Sequence, residues 1–178
     1  MKSLSLSAFL ALVLSSCSLN TDLVQSDMPS NKFIDVIGEV DESIGFKLQV
    51  EYRTTINTAA CTDYSIALGR RITKTYTHDY YPEIIGLSHR THVPLQQISS
   101  QTECSWQPSG ISICSAARGV EPTSCSSIFA FNGQQKTSEP VTVECTLAGW
   151  CFTQTKVFNG AISVFNKTYV LHILRKQT

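Results

Sequence analysis

Charge, long apolar runs and helical periodicity are all scarce in this chain, and each shortage narrows what it can be. Charged residues make up 16% of the 178, with fourteen basic residues against fourteen acidic ones. A nucleic-acid binder needs a basic excess to neutralise phosphates, and docking on an anionic membrane by overall charge needs the same, so the balance argues against both. The longest apolar run, Leu4 to Leu14, is interrupted only by Ser5 and Ser7. It is too short to cross a hydrocarbon core of ~30 Å, which takes about 20 apolar residues. After that run no segment repeats apolar residues with the spacing of an amphipathic helix. No Cys-x-x-Cys occurs, and the cysteine intervals match no zinc-ribbon or zinc-finger spacing, so neither a metal nor any other cofactor is expected. The G-x-S-x-G, S-x-x-K, H-E-x-x-H and G-K-[ST] signatures are missing too, which leaves only a dispersed catalytic group as a route to an enzyme.

The sequence does contain 42% hydrophobic residues, enough for one packed domain. The apolar period is two. In Phe46-Lys47-Leu48-Gln49-Val50-Glu51-Tyr52 and in Val141-Thr142-Val143-Glu144-Cys145-Thr146-Leu147, apolar and polar residues alternate as in strands with one wet face. Segments 33–40, 65–77, 84–93 and 127–131, rich in Ile, Thr, Tyr and Phe, are further strand candidates. Asn132-Gly133 and Asn159-Gly160 follow apolar runs and suit type I′ turns, and Asn166-Lys167 separates two apolar stretches. The C-terminal quarter therefore reads as an antiparallel meander. Residues 99–126, rich in Ser, Gly and Pro, read instead as a long irregular excursion held by disulfides. The expected fold class is all-β: a single antiparallel β-sandwich or small barrel over residues 32–178, stapled by three disulfides.

The N-terminus points to a compartment. Lys2 and the apolar run that follows have the form of a cleaved secretory signal peptide over residues 1–16. Leu14-Ser15-Ser16-Cys17 resembles the lipobox of bacterial lipoproteins, an aliphatic residue and two small ones before the cysteine that is lipidated. The resemblance implies a diacylglycerol thioether on Cys17 and a third acyl chain (palmitate in kind) on the amine freed by cleavage. At ~0.8 kcal/mol per buried methylene, two or three chains make release from the membrane negligible. Ser18, not aspartate, follows the cysteine, which by the same resemblance implies the outer membrane of a double-membrane bacterium, the leaflet left open. Residues 17–31 then form the lipidated cysteine and a flexible tether.

Cysteine parity agrees. Of seven cysteines, reserving Cys17 for lipid leaves Cys61, Cys104, Cys114, Cys125, Cys145 and Cys151, an even set for an oxidising compartment. Six cysteines allow fifteen pairings, and sequence does not choose among them. Trp106 and Trp150 each lie within two positions of a cysteine and are expected to pack over disulfides.

Candidate functional residues are few. His89 and His92 are three apart, so in a strand they point to opposite faces and cannot share a metal; both read as surface polar residues, and His172 as an outer or edge residue. Tyr76, His78, Tyr80 and Tyr81 crowd an expected turn, and tyrosines of this kind suit a partner-binding surface. Arg70, Arg71 and Lys74 add positive charge beside them. The leading expectation is a non-enzymatic, membrane-anchored binding or accessory module, its partner another envelope protein. The alternative is a periplasmic inhibitor or immunity protein that plugs a lytic enzyme with residues 76–82 or 99–126. A hydrolase of peptidoglycan or lipid is the least favoured reading.

Overall fold

The computed structural model describes residues 28–29, 32–95, 97–98, 104–131, 140–153 and 168–177. The leader, Cys17, residues 18–27 and the Asn132-Gly133, Asn159-Gly160 and Asn166-Lys167 turns lie outside the described residues, as does the apolar stretch 162–165. In chain order the strands are β1 (Met28–Pro29), β2 (Phe33–Glu39), β3 (Ile44–Thr54), β4 (Thr62–Ser65), β5 (Arg70–Thr73), β6 (Thr75–Tyr80), β7 (Glu83–Ile85), β8 (Ser88–Pro94), β9 (Gln97–Ile98), β10 (Ser105–Ala117), β11 (Ser124–Ala130), β12 (Val141–Cys145), β13 (Cys151–Thr153) and β14 (Thr168–Arg175).

They form an all-β, sandwich-like fold of two six-stranded sheets and a separate β4–β5 ribbon. In the first sheet β3 is central, with β6 antiparallel on one side and β10 on the other; β10 in turn carries β11 and the short β9, and β9 carries β1. The second sheet runs β13-β12-β14-β2-β8-β7. The alternation that marks the strands also fixes what they bury. On β3, Ile44, Phe46, Leu48, Val50, Tyr52 and Thr54 face the core, where they meet Ile34 and Val36 of β2, Val141 and Val143 of β12, and Tyr169, Leu171 and Ile173 of β14. A buried aliphatic side chain of this kind contributes about 1.5–3 kcal/mol.

Two expectations are corrected. The described part of 99–126, from Cys104 on, is not an irregular excursion, because β10, the longest strand described, runs Ser105–Ala117 and β11 starts at Ser124. The inward residues of β10 are Trp106 and Pro108, then Ile111, Ile113 and Ser115. A bulge between Pro108 and Gly110 shifts the parity from even to odd, so a scan for strict alternation sees noise where the strand continues. The C-terminal quarter is not an antiparallel meander either. β12 and β13 do form an antiparallel hairpin, but β14 lies parallel to both of its neighbours, β12 and β2. Period-two patterning specifies which face a strand buries and is silent on the direction of its neighbours.

The six cysteines pair as Cys61–Cys104, Cys114–Cys125 and Cys145–Cys151. The last two are cross-strand bonds between residues directly opposite in the β10–β11 and β12–β13 ladders. Cys61–Cys104 spans 43 positions and ties the chain leaving β3 to the start of β10. Of the two tryptophans, Trp106 is buried edge-on against Tyr76, while Trp150 is 60% exposed beside Cys151.

Candidate functional site

One end of the sandwich, where β3 begins and β10 ends, carries an open cleft of about 340 Å³. Phe46 and Ile84 form an apolar floor, Tyr81 and Pro82 one wall, and the turn Arg118–Pro122 the other. Gly119 holds a positive φ of 85° there, the left-handed conformation that lets the chain leave β10 tightly enough to make that wall.

A charge network on the outer face of the first sheet sets the rim. Lys47 projects outward from β3 and donates to Glu121 Oε1 at 2.6 Å and to Asp79 Oδ2 at 3.0 Å. Gln49 steadies Asp79 at 3.1 Å, and the Tyr81 hydroxyl donates to Glu121 at 3.0 Å while its ring lies 5.7 Å from the ammonium. Only 11% of the Lys47 side chain remains exposed. Hydrogen bonds to Glu121 and Asp79 raise the Lys47 pKa and hold it charged. In return, the hydrogen bonds from Lys47 and Tyr81 keep the Glu121 carboxyl below its ordinary range. The bond to Glu121 likewise lifts the Tyr81 phenol above its own. The network pre-orders Tyr81 and the 118–122 turn. Arg118, by contrast, is exposed and makes no ion pair among the described residues.

The tyrosines named from sequence are divided between two roles. Tyr76, His78 and Tyr80 lie opposite Tyr52, Val50 and Leu48 on the core-facing side of edge strand β6. Tyr76 stacks on Tyr52 with centroids 5.1 Å apart, and the Tyr80 hydroxyl donates at 2.6 Å to that of Tyr52, which donates on to the Pro94 carbonyl. Burial raises the pKa of both Tyr52 and Tyr76. His78, more exposed, packs its ring on Tyr80 at 4.7 Å. This cluster closes the edge of the core. Tyr81 alone stands out in water, 63% exposed at the cleft. Of the two segments expected to plug an enzyme, 76–82 is strand as far as Tyr80, and the described part of 99–126 is largely β10.

His89 and His92 occupy opposite faces of β8, as their spacing requires, yet His89 is not a surface residue. It is 3% exposed and faces the core. Its Nε2 donates to the Leu171 carbonyl at 2.8 Å, and the Phe46 ring meets it edge-on at 5.0 Å. The β2–β14 ladder explains the contact. Backbone pairing runs to Ile37 and Val170 and resumes at Val40 and Ile173, leaving the Leu171 carbonyl between them for the imidazole. Gly38 makes the room: a Cβ there would lie 1.9 Å from that oxygen. Burial holds the His89 pKa below its ordinary value. Since His89 pairs opposite Ile84 and touches Phe46, it lies directly beneath the cleft floor. His92 instead sits outward against Asp35, which Arg90 also reaches at 3.2 Å, and His172 is half-buried on the outer face of β14. No group of three or more His, Cys, Asp or Glu among the described residues is placed to hold a metal.

Sequence reasoning missed Lys47, Asp79, Arg118 and Glu121, because residues 74 positions apart meet only through β3, β6 and the β10–β11 turn. It also took 65–77 as a single strand. The structure divides that stretch among β4, β5 and β6, and the residues between β4 and β5 form an exposed hairpin tip. Gly69 was the available signal, since it ends an Ile-Ala-Leu-Gly turn at positive φ. No family model, curated protein or solved structure significantly matches this chain.

Proposed function

We propose that this chain is a bacterial envelope lipoprotein, anchored in the outer membrane through lipid on Cys17, that binds another envelope protein in the cleft beside Tyr81 and catalyses no reaction. The observation that carries the reading is the complete pairing of the other six cysteines. Three closed disulfides suit an oxidising compartment, and Cys17 is the one cysteine of the seven left over for acylation. The cleft supports binding. It offers an apolar floor for a side chain, a tyrosine already held in place, and a cation at Arg118 for a carboxylate of the partner. Its groups are held by one another, so little order is lost when a partner arrives.

Two measurements on protein extracted from membranes test the reading. Mass spectrometry of the mature chain is expected to find Cys17 N-terminal and acylated, with no free thiol elsewhere; an unmodified Cys17 refutes the anchor. A photo-crosslinking residue at Val120 is expected to capture one envelope protein, and Arg118→Glu to abolish that adduct while the fold persists. An adduct indifferent to Arg118→Glu refutes the cleft as the binding site.

A further inference from the structure

The β4–β5 ribbon stands apart from both sheets, and its composition is odd for a surface element. From Asp63 to Thr73 nearly every residue is exposed. The tip presents Ile66 at 89% and Leu68 at 59% exposure, with Tyr64 beside them on β4. Arg70 and Arg71 follow at once on β5, opposite Ser65 and Tyr64. The nearest acid, Asp63, faces Lys74 at 3.8 Å, so the two arginines are a local excess in a chain of zero net charge.

The root is rigid. Cys61 is buried and bonded to Cys104, its carbonyl accepts from Thr54 Oγ1 and from the Lys74 amide, and Thr62 Oγ1 donates to the Thr58 carbonyl. A stiff stalk that holds aliphatic residues in water is an arrangement that hydrophobic burial disfavours unless something covers the tip.

The strand directions identify that surface. The ribbon leaves the sandwich at the end where β3 finishes and β10 begins, opposite the cleft. β9 pairs antiparallel with Ser105–Trp106 at the start of β10, and β1 pairs antiparallel with β9. β1 therefore runs parallel to β10, and Met28 lies at the ribbon's end of the molecule. Ten residues separate Cys17 from Met28. Even fully extended they reach no more than about 40 Å. A lipid on Cys17 therefore puts the bilayer within reach of the ribbon's end.

We infer that the β4–β5 hairpin is a second membrane contact, with Ile66 and Leu68 entering the headgroup–acyl boundary, Tyr64 at the interface and Arg70 and Arg71 on anionic lipid phosphates. The inference rests on the anchored reading of Cys17. Each part matches interfacial chemistry: aliphatic groups gain by leaving water, a tyrosine ring prefers the headgroup level, and cations are attracted by anionic lipid. With tip and lipid both engaged, the sandwich stands on the membrane with its cleft pointing away, open to a partner.

Backbone hydrogen exchange tests this on full-length mature protein in bilayers of phosphatidylethanolamine and phosphatidylglycerol, with Cys17→Ser protein in water as reference. Amides at 64–71 are expected to exchange at least tenfold more slowly in the bilayer. Ile66→Asp with Leu68→Asp is expected to erase that protection, with all three disulfides intact, and Arg70→Gln with Arg71→Gln to weaken it. The mass of the Cys17 peptide is read from the same sample. Acylated Cys17 with an unprotected hairpin overturns the inference and leaves the anchor standing. Protection that appears only in native membranes and not in pure lipid assigns the tip to a protein, and also overturns it. If Cys17 carries no lipid, the anchored reading fails; flotation of Cys17→Ser protein with the same lipids then decides the hairpin alone, binding lost in the aspartate variant upholding it and no binding refuting it.

Discussion

Acidification should unfasten this domain through a single histidine. His89 lies in the core with Nε2 committed to the Leu171 carbonyl, so Nδ1 carries the lone pair, and that atom has no hydrogen-bond partner. A proton on Nδ1 would place a charge and an unmet donor in the core, beside Phe46 and within the field of His172. Burial therefore depresses the folded pKa below the ordinary 6.5. Above that pH neither folded nor unfolded chain binds the proton, and His89 adds no pH dependence. Below it the unfolded chain takes up a proton that the folded one refuses, and stability falls by up to about 1.4 kcal/mol per pH unit until the folded pKa is reached. From pH 7.5 to 5.5 the ceiling is about 1.4 kcal/mol in all, a shift of about 0.5–1 M in the urea midpoint for ordinary m-values. The carboxyls of Asp41 and Glu121, also held low, lose their contribution only nearer their ordinary values of 3.8 and 4.5, outside this window. His89→Gln separates the cause, because its amide can still donate to Leu171 and cannot become charged. Urea titrations at the two pH values are expected to show the wild-type loss shrinking in His89→Gln. An equal loss in both proteins refutes the assignment.

Further expectations follow from the same geometry. Gly38→Ala should destabilise the domain by about 3 kcal/mol, read as a fall in denaturation midpoint, since its methyl would collide with the Leu171 carbonyl and part β2 from β14. Replacing both members of Cys61–Cys104 by alanine should cost about 4 kcal/mol, against about 2 kcal/mol for Cys145–Cys151, because the first closes 43 positions and the second six; chemical denaturation of the two variants tests the order. Leu48→Ala, fully buried at the centre of β3, should cost about 2–5 kcal/mol by the same measurement.

The strands with unbroken alternation were legible. Phe46 to Tyr52 and Val141 to Cys145 bury the side chains the sequence assigns to their inner faces, because the pleat repeats every two residues and a half-buried strand must match it. β10 was not legible, since a bulge reverses its inward parity midway and its serines resemble a loop. For the site, sequence grouped Tyr76, His78, Tyr80 and Tyr81 as one surface, whereas the β3–β6 register turns Tyr76 and Tyr80 into the core's edge and leaves Tyr81 exposed. It read Arg70, Arg71 and Lys74 as charge beside the tyrosines, where the chain in fact makes a ribbon of its own.

By itself, then, the sequence determined the all-β class, the even count of cysteines beyond Cys17 and the opposite faces of His89 and His92, because each follows from local periodicity or from counting. Which cysteines pair, which strands run parallel, how Lys47 finds Glu121 and why His89 lies inside were decided only in three dimensions. Those contacts join residues far apart in the chain. Their partners are chosen by how the two sheets stack, and no local pattern encodes that choice.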